Sequence, residues 1–200
     1  MVTNVAANRP VFTSNAFLVP GERTVLVDAG NEFDAVTAVR EHVDGGDSGA
    51  SVDGLDAVVL THTHPDHVGN VPAVVDAFNV DVWGFDPDHD LVDHAIEDGT
   101  TVTLGDHDFR ALYTPGHADD HLCFYAPVPR TLFAGDLVFA GGSFGRTDLE
   151  GGDRETLVES IESVLDAVDD DLETVHAGHG PSVTEDARDH VEAALRAARR

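Results

Sequence analysis

A histidine-rich segment directly after a short apolar run constrains this chain more than any other feature. Residues 56–60 are typical of a buried strand, and the chain continues from them into Thr-His-Thr-His-Pro-Asp-His at residues 61–67. Because side chains alternate along a strand, the first two histidines point to the same side, and the proline turns the chain so that the following aspartate and histidine can face the same point. Imidazole and carboxylate groups are the ligands that a divalent ion such as zinc accepts. The segment therefore predicts four metal ligands: His62, His64, Asp66 and His67.

Three later turns each carry a side chain of the same chemistry where an apolar strand pattern ends. His117 stands in Thr-Pro-Gly-His, Asp136 in Phe-Ala-Gly-Asp, and His179 in His-Ala-Gly-His-Gly. Loops at strand ends often carry functional residues on a rigid scaffold. A chance cluster of histidines on an exposed loop would explain residues 61–67 but not these three turns, so we expect all of them to converge on one metal site.

The charge of the chain argues against two classes of partner. Eleven basic residues, all arginine, stand against 38 acidic ones, which gives a net charge of −27. Such a surface repels the phosphates of nucleic acids and of anionic membranes, so we expect neither as a partner. Abundant aspartate without lysine resembles the proteins of salt-accumulating cytoplasms, which indicates a halophilic protein.

The spacing of apolar residues predicts an α+β chain whose strands form two groups, each followed by helices. Helices are predicted over residues 32–43, 70–78, 87–97, 154–168 and 184–200. Strands are predicted over residues 11–19, 24–27, 56–60, 80–85, 101–104, 107–113, 121–126, 131–134 and 174–175, with glycine-rich loops over residues 44–54 and 140–153. Since no repeat or linker is visible, we expect a single domain over residues 1–200.

Cysteine use and the start of the chain favour a cytoplasmic protein. A single cysteine, Cys123, excludes an intramolecular disulfide, and its apolar strand context predicts a buried thiol rather than a nucleophile. The first residues lack the basic and apolar regions of a signal peptide. No apolar run approaches the roughly 20 residues that a membrane span requires.

Residues 62–67, read as H-x-H-x-D-H, together with the later turns, resemble the metallo-β-lactamase superfamily over nearly the whole chain. The resemblance implies a four-layer αββα sandwich with the site along one edge of two packed sheets. It also implies two divalent metal ions, zinc in the first instance, with iron or manganese as options. One ion would take His62, His64 and His117, the other would take Asp66, His67 and His179, and Asp136 would bridge them together with a water. Asp28 at an early strand end would orient a ligand histidine or the backbone of the motif.

Residues 135–149, read with the flanking Thr-Pro-Gly-His and Ala-Gly-His-Gly-Pro, resemble a short form of the glyoxalase II group, the hydroxyacylglutathione hydrolases. That resemblance implies hydrolysis of a thioester of a 2-hydroxy acid by a metal-bridging hydroxide, with Asp66 or Asp136 relaying a proton. Arg146 is a candidate to bind a substrate carboxylate, or else to form an ion pair with Asp148. The classical glyoxalase II pattern includes lysines and a Tyr after the Cys of this strand. This chain has no lysine, and Phe124 follows Cys123, so the identity of the thiol carrier stays open.

Two other functions remain open. Gly-Arg-Thr-Asp at residues 145–148 also occurs in persulfide dioxygenases of the same superfamily, which hold one iron by two histidines and an aspartate. Here those ligands would be His62, His117 and Asp136. The second of these functions is metal binding without catalysis. His121 and His176 lie close in sequence to predicted ligands and are candidates to support the site.

We expect the thermal midpoint of unfolding to fall when the protein is desalted. At molar salt the Debye length is roughly 3 Å, which screens the repulsion among the carboxylates. Thermal melts from molar to millimolar potassium chloride measure the effect. A midpoint that does not fall would contradict the halophilic interpretation.

Overall fold

A computed structural model describes residues 1–43 and 54–200 and divides them into two compact units. The first unit comprises Met1–Ala95 and Thr103–Asp106, and the second comprises Ile96–Val102 and His107–Arg200. Apart from Gly54, the loop predicted over residues 44–54 lies outside the described residues. The single domain stays a prediction.

The first unit is built on a mixed six-stranded sheet in the order β1 to β6. The strands are β1 Thr3–Asn4, β2 Phe17–Val19, β3 Val25–Val27, β4 Ala57–Val59, β5 Asp81–Gly84 and β6 His94–Ala95. The helices are α1 Ala35–Val43, α2 Pro65–Val68 and α3 Val71–Phe78. The strands β3 to β6 are parallel, and the buried apolar sequences of β3 and β4 are typical of parallel strands covered on both faces.

The pairing of β3 with β4 brings two functional segments to one edge of the first sheet. Val27 at the end of β3 lies opposite Val59 at the end of β4. The next residue after β3 is Asp28, and β4 leads through Leu60 into residues 61–67. Parallel strands share the edge at which their carboxyl ends lie, so both segments emerge there.

The second unit contains a second mixed sheet, in the order β13-β10-β9-β8-β7, and two long helices. The strands are β7 Thr101–Leu104, β8 His107–Tyr113, β9 Leu122–Ala126, β10 Thr131–Gly135, β11 Val138–Phe139, β12 Ser143–Phe144 and β13 Thr174–Ala177. Helices α4 Arg154–Ala167 and α5 Ala187–Ala198 pack on each other, and α5 also contacts the β11–β12 hairpin. The last two residues of β7 belong to the first unit.

Strand direction again gathers the functional turns of the second unit. Strand β10 runs parallel to β13 and antiparallel to β9, which is itself antiparallel to β8. Therefore β8, β10 and β13 all point the same way, and the turns after them lie at one edge. Those turns carry His117, Asp136 and His179.

The helix predicted over residues 87–97 is wrong. Asp86 accepts a hydrogen bond from the amide of Asp88, and the ring of His89 accepts one from Leu91. A short side chain such as that of Asp86 competes with helical backbone bonding. Asp93 then exchanges bonds with Val82, and the chain enters β6 beside β5. The apolar spacing seen in the sequence belongs to turns and an edge strand.

The other predicted elements are mostly present, with limits that differ from the predicted ones. The strand predicted over residues 11–19 is confined to Phe17–Val19, and the loop predicted over residues 140–153 includes β12. The helices predicted over residues 32–43, 70–78, 154–168 and 184–200 correspond to α1, α3, α4 and α5. No helix among the described residues is long and apolar enough to cross a membrane.

We expect the free energy of unfolding to decrease between about pH 6.5 and pH 4 in part because of His176. This residue of β13 stacks on Phe133, and its Nδ1 lies 2.8 Å from Oγ of Ser182. Burial lowers the pKa of His176 from 6.5 to about 4. Between these pH values the unfolded chain binds a proton at His176 that the folded chain does not bind. The contribution of the neutral histidine to the free energy of unfolding is therefore complete above pH 6.5 and is lost as the pH falls.

Urea denaturation of the wild type and of His176→Gln at pH 7 and pH 5, in constant high salt and chelator, measures this contribution. The variant should lose less stability across the interval. Equal losses in the two proteins would contradict it.

Candidate metal centre

A buried carboxylate organises the histidine-rich segment of the first unit. Asp28 follows β3 in the left-handed region, with φ of 56°. Its Oδ1 accepts a hydrogen bond of 2.8 Å from the amide of Thr61, and its Oδ2 accepts one of 2.7 Å from the Thr61 hydroxyl. The same Oδ2 lies 2.8 Å from Nδ1 of His67. Asp28 therefore orients both a predicted ligand histidine and the backbone of the motif.

The four predicted ligands of the first unit lie close together. The ring centroids of His62 and His64 are 4.7 Å apart, and those of His62 and His67 are 4.0 Å apart. A ligand atom of Asp66 lies within 4.8 Å of one of His67. Helix α2 begins with Pro65, whose missing N–H costs nothing in a first helical turn. The turn from β4 into this short helix brings His67 beside His62, with Asp66 next to His67.

In the second unit, His117 is held by close contact of its turn with α4. Gly116 has φ of +117°, and a Cβ atom there would collide with the backbone of Leu157. The carbonyl of Gly116 accepts a hydrogen bond of 2.8 Å from Asp153, which caps α4. Nδ1 of His117 lies 2.8 Å from the carbonyl oxygen of Arg146. Backbone groups therefore hold both the turn that carries His117 and one nitrogen of its ring.

The three predicted ligands of the second unit meet at one carboxylate oxygen. Oδ2 of Asp136 lies 3.4 Å from Nε2 of His117 and 3.4 Å from Nε2 of His179. The turns are tied together, because the amide of Gly178 donates to the carbonyl of Gly135. Imidazole nitrogens and carboxylate oxygens are donors that divalent cations such as zinc accept.

The donor set fits divalent metal ions in chemistry as well as in position. Nδ1 of His67 and Nδ1 of His117 are engaged by protein oxygens, so Nε2 of each ring is the atom that a metal would take. A carboxylate or carbonyl behind a histidine is the usual support of a metal ligand. Nitrogen and oxygen donors suit zinc, iron and manganese alike, so the donors leave the choice of metal open.

Arg146 forms the ion pair that the sequence suggested. Its Nε and one terminal nitrogen lie 2.9 Å and 2.8 Å from the two carboxylate oxygens of Asp148. Both side chains are about two-thirds exposed, at 67% and 69%. The bidentate bond to Asp148 raises the pKa of Arg146. A role of Arg146 in binding substrate stays a prediction.

Cys123 is a core residue, as predicted. It is fully buried in β9, and its Sγ lies 3.4 Å from the carbonyl oxygen of Ala134. Burial raises the pKa of the Cys123 thiol to about 12. A thiol protonated at neutral pH is a poor nucleophile.

Several supporting residues were missed or left open by the sequence analysis. Thr61 binds Asp28 through both its amide and its hydroxyl, and Thr114 lies 2.8 Å from Nδ1 of His121. Nε2 of His121 accepts a 3.0 Å hydrogen bond from the amide of Asp136. Threonines at the ends of apolar strands were the available signal, because buried hydroxyls need partners.

Comparison with known proteins finds related sequences named as hydrolases. The chain is 37% identical over 110 residues to the hydroxyacylglutathione hydrolase of Francisella tularensis subsp. novicida, a match covering 54% of this chain and 43% of that protein. It therefore aligns with less than half the length of that relative. It is 28% identical over 185 residues to the hydroxyacylglutathione hydrolase GloC of Haemophilus influenzae, covering 82% of each.

Solved structures show the same fold. The BLEG-1 B3 metallo-beta-lactamase is 28% identical with a TM-score of 0.76, covering 97% of this chain and 99% of that one. A di-iron-bound form of TTHA1623 is 31% identical with a TM-score of 0.73, covering 94% and 96%. ETHE1 from Myxococcus xanthus is 23% identical with a TM-score of 0.78, covering 100% and 90%, and shows the fold alone.

The fold class expected from the motifs is thereby confirmed. A family model described as the metallo-beta-lactamase superfamily matches residues 9–179, which include every predicted ligand. On that match, the chain belongs to the metallo-β-lactamase superfamily.

Proposed function

We propose that this protein is a metal-dependent hydrolase that cleaves a thioester of a 2-hydroxy acid. The observation that carries the proposal is the position of the Asp136 carboxylate, 3.4 Å from Nε2 of both His117 and His179. A carboxylate between two imidazoles is suited to bridge two cations. The names of the Francisella and Haemophilus relatives support the substrate class.

One ion would be held by His62, His64 and His117, and the other by Asp66, His67 and His179, with Asp136 contributing to both. Membership in the superfamily and the H-x-H-x-D-H motif support this assignment. We favour zinc, while the di-iron form of TTHA1623 makes iron the first alternative, and manganese stays open.

The residues of the chain supply the remaining chemistry. When bound, two divalent ions lower the pKa of a shared water and polarise the substrate carbonyl. The carboxylates of Asp66 and Asp136 can accept the proton that the attacking water loses. A C–O bond forms as the C–S bond breaks, and the departing thiolate is a good leaving group that needs no strong acid beside it. No cysteine or serine nucleophile is required, which agrees with the buried thiol of Cys123.

A persulfide dioxygenase with a single iron is the alternative. Residues 145–148, Gly-Arg-Thr-Asp, are the sequence feature that favours it. Iron held by two histidines and a carboxylate leaves positions open for oxygen and substrate. Oxygen uptake with a persulfide, compared with thiol release from a 2-hydroxyacyl thioester, separates the two reactions on the same preparation.

Asp136→Ala should release metal from both positions and lower kcat/KM for the thioester by more than about 100-fold, because the bridging carboxylate is lost. Metal content and steady-state rates measure both effects on protein purified at high salt. Glu159→Gln, an exposed change on α4, is the charge-matched control and should behave as the wild type. Full activity in Asp136→Ala would overturn the dinuclear scheme.

Arg146→Ala should raise KM by roughly tenfold with little change in kcat if the guanidinium binds a substrate carboxylate, since one charge-assisted hydrogen bond is lost. Asp148→Ala breaks the same ion pair but keeps the guanidinium, so it is the matched control and should leave KM nearly unchanged. Equal effects of the two variants would assign Arg146 to loop structure instead.

A further inference from the structure

A fully buried histidine that is not among the proposed ligands lies behind the Asp136 turn. His121 directly precedes β9, and Asp136 directly follows β10, the strand paired with it. Nε2 of His121 accepts a hydrogen bond of 3.0 Å from the amide of Asp136. On the other side of the ring, Nδ1 lies 2.8 Å from Oγ1 of Thr114, which is also fully buried.

Strand geometry explains why a side chain is needed at this point. The ladder between β9 and β10 pairs Phe133 with Phe124 as its last regular pair before the turn. On the opposite side, the register with β13 shifts between Phe133 and Gly135, and Gly135 has φ of 47°. Regular pairing of the backbone therefore ends at Phe133, before the chain reaches Asp136. A buried amide without a strand partner requires another acceptor, and the imidazole of His121 supplies it.

The contact with the Asp136 amide fixes the tautomer of the ring. A backbone amide can only donate, so Nε2 of His121 carries no proton and the ring's proton is on Nδ1. That N–H donates to the hydroxyl oxygen of Thr114. The hydroxyl in turn lies 3.4 Å from Sγ of Cys123 and 3.4 Å from the carbonyl of Leu112, both of which can accept its proton. The amide of Asp136 thus selects the tautomer, and the Thr114 hydroxyl accepts the Nδ1 proton that this tautomer carries.

We propose that Thr114 and His121 are positioning residues that hold the backbone of Asp136 and thereby aim its carboxylate at His117 and His179. The carboxylate lies 3.4 Å from Nε2 of each histidine, so a small backbone shift would change both separations. Misplacement by about 1 Å can cost a reaction 100-fold. The consequence for catalysis rests on the proposed function, whereas the hydrogen bonds themselves do not depend on it.

Two substitutions at residue 121 separate positioning from packing. In His121→Gln the amide oxygen can reach the place of Nε2 and accept from Asp136, whereas the shorter side chain of His121→Asn cannot. We expect His121→Asn to weaken metal affinity by 10- to 100-fold, the usual range for groups that support a ligand, and to lower kcat with little change in KM. His121→Gln should stay within about threefold of the wild type.

Substitutions at Thr114 provide a second pair that tests the same chain of bonds. Thr114→Ser keeps the hydroxyl, and Thr114→Val replaces it by a methyl group of similar size. We expect Val, but not Ser, to weaken metal affinity and to speed hydrogen exchange at the amide of Asp136 in the metal-free protein. These readouts do not require turnover.

The tautomer is measured first, in metal-free wild type, by a long-range ¹H–¹⁵N spectrum. A proton on Nδ1 of His121 supports the proposal, and a proton on Nε2 overturns it even if every variant fails to fold. Equal metal affinities for the Gln and Asn variants at equal stability would also overturn it. If these outcomes hold but no thioester is cleaved, the proposed function fails and the positioning role stands.

Discussion

Strand direction is the constraint on which the proposed site depends. In the first unit the parallel strands β3 and β4 end at the same edge, so Asp28 and the histidine-rich segment emerge together. In the second unit β8, β10 and β13 point the same way, so His117, Asp136 and His179 emerge together. Side chains distant in sequence therefore become neighbours.

Burial then makes the supporting hydrogen bonds obligatory. Imidazoles and carboxylates at buried strand ends would be costly without partners. The Nδ1 atoms of His67 and His117 are engaged by a carboxylate and a carbonyl, and His121 takes the amide of Asp136. Each of these hydrogen bonds restricts the orientation of one proposed metal ligand. Arg146 joins this network through its backbone, since its carbonyl orients His117 while its guanidinium binds Asp148.

The sequence offers candidate ligands through a local pattern but misses most of the residues that support them, for a physical reason. Ligand residues stand at the ends of apolar runs, and that pattern is local, as at residues 61–67. Helix α4 could also be predicted, because its apolar residues recur at helical spacing. The contact of His121 with Asp136 depends on an irregular register of β10, which no local pattern encodes. Residues 87–97 mislead because side-chain bonds to the backbone replace the helix that their spacing suggests.

The central proposal is that the seven predicted ligands hold a pair of metal ions. A crystal structure of the metal-loaded protein, with anomalous scattering recorded at the absorption edge of the bound metal, tests it most directly. The account predicts two anomalous peaks about 3.5–4 Å apart, with Asp136 contacting both. A single peak held by only His62, His117 and Asp136 would contradict it, as would two ions that share no ligand.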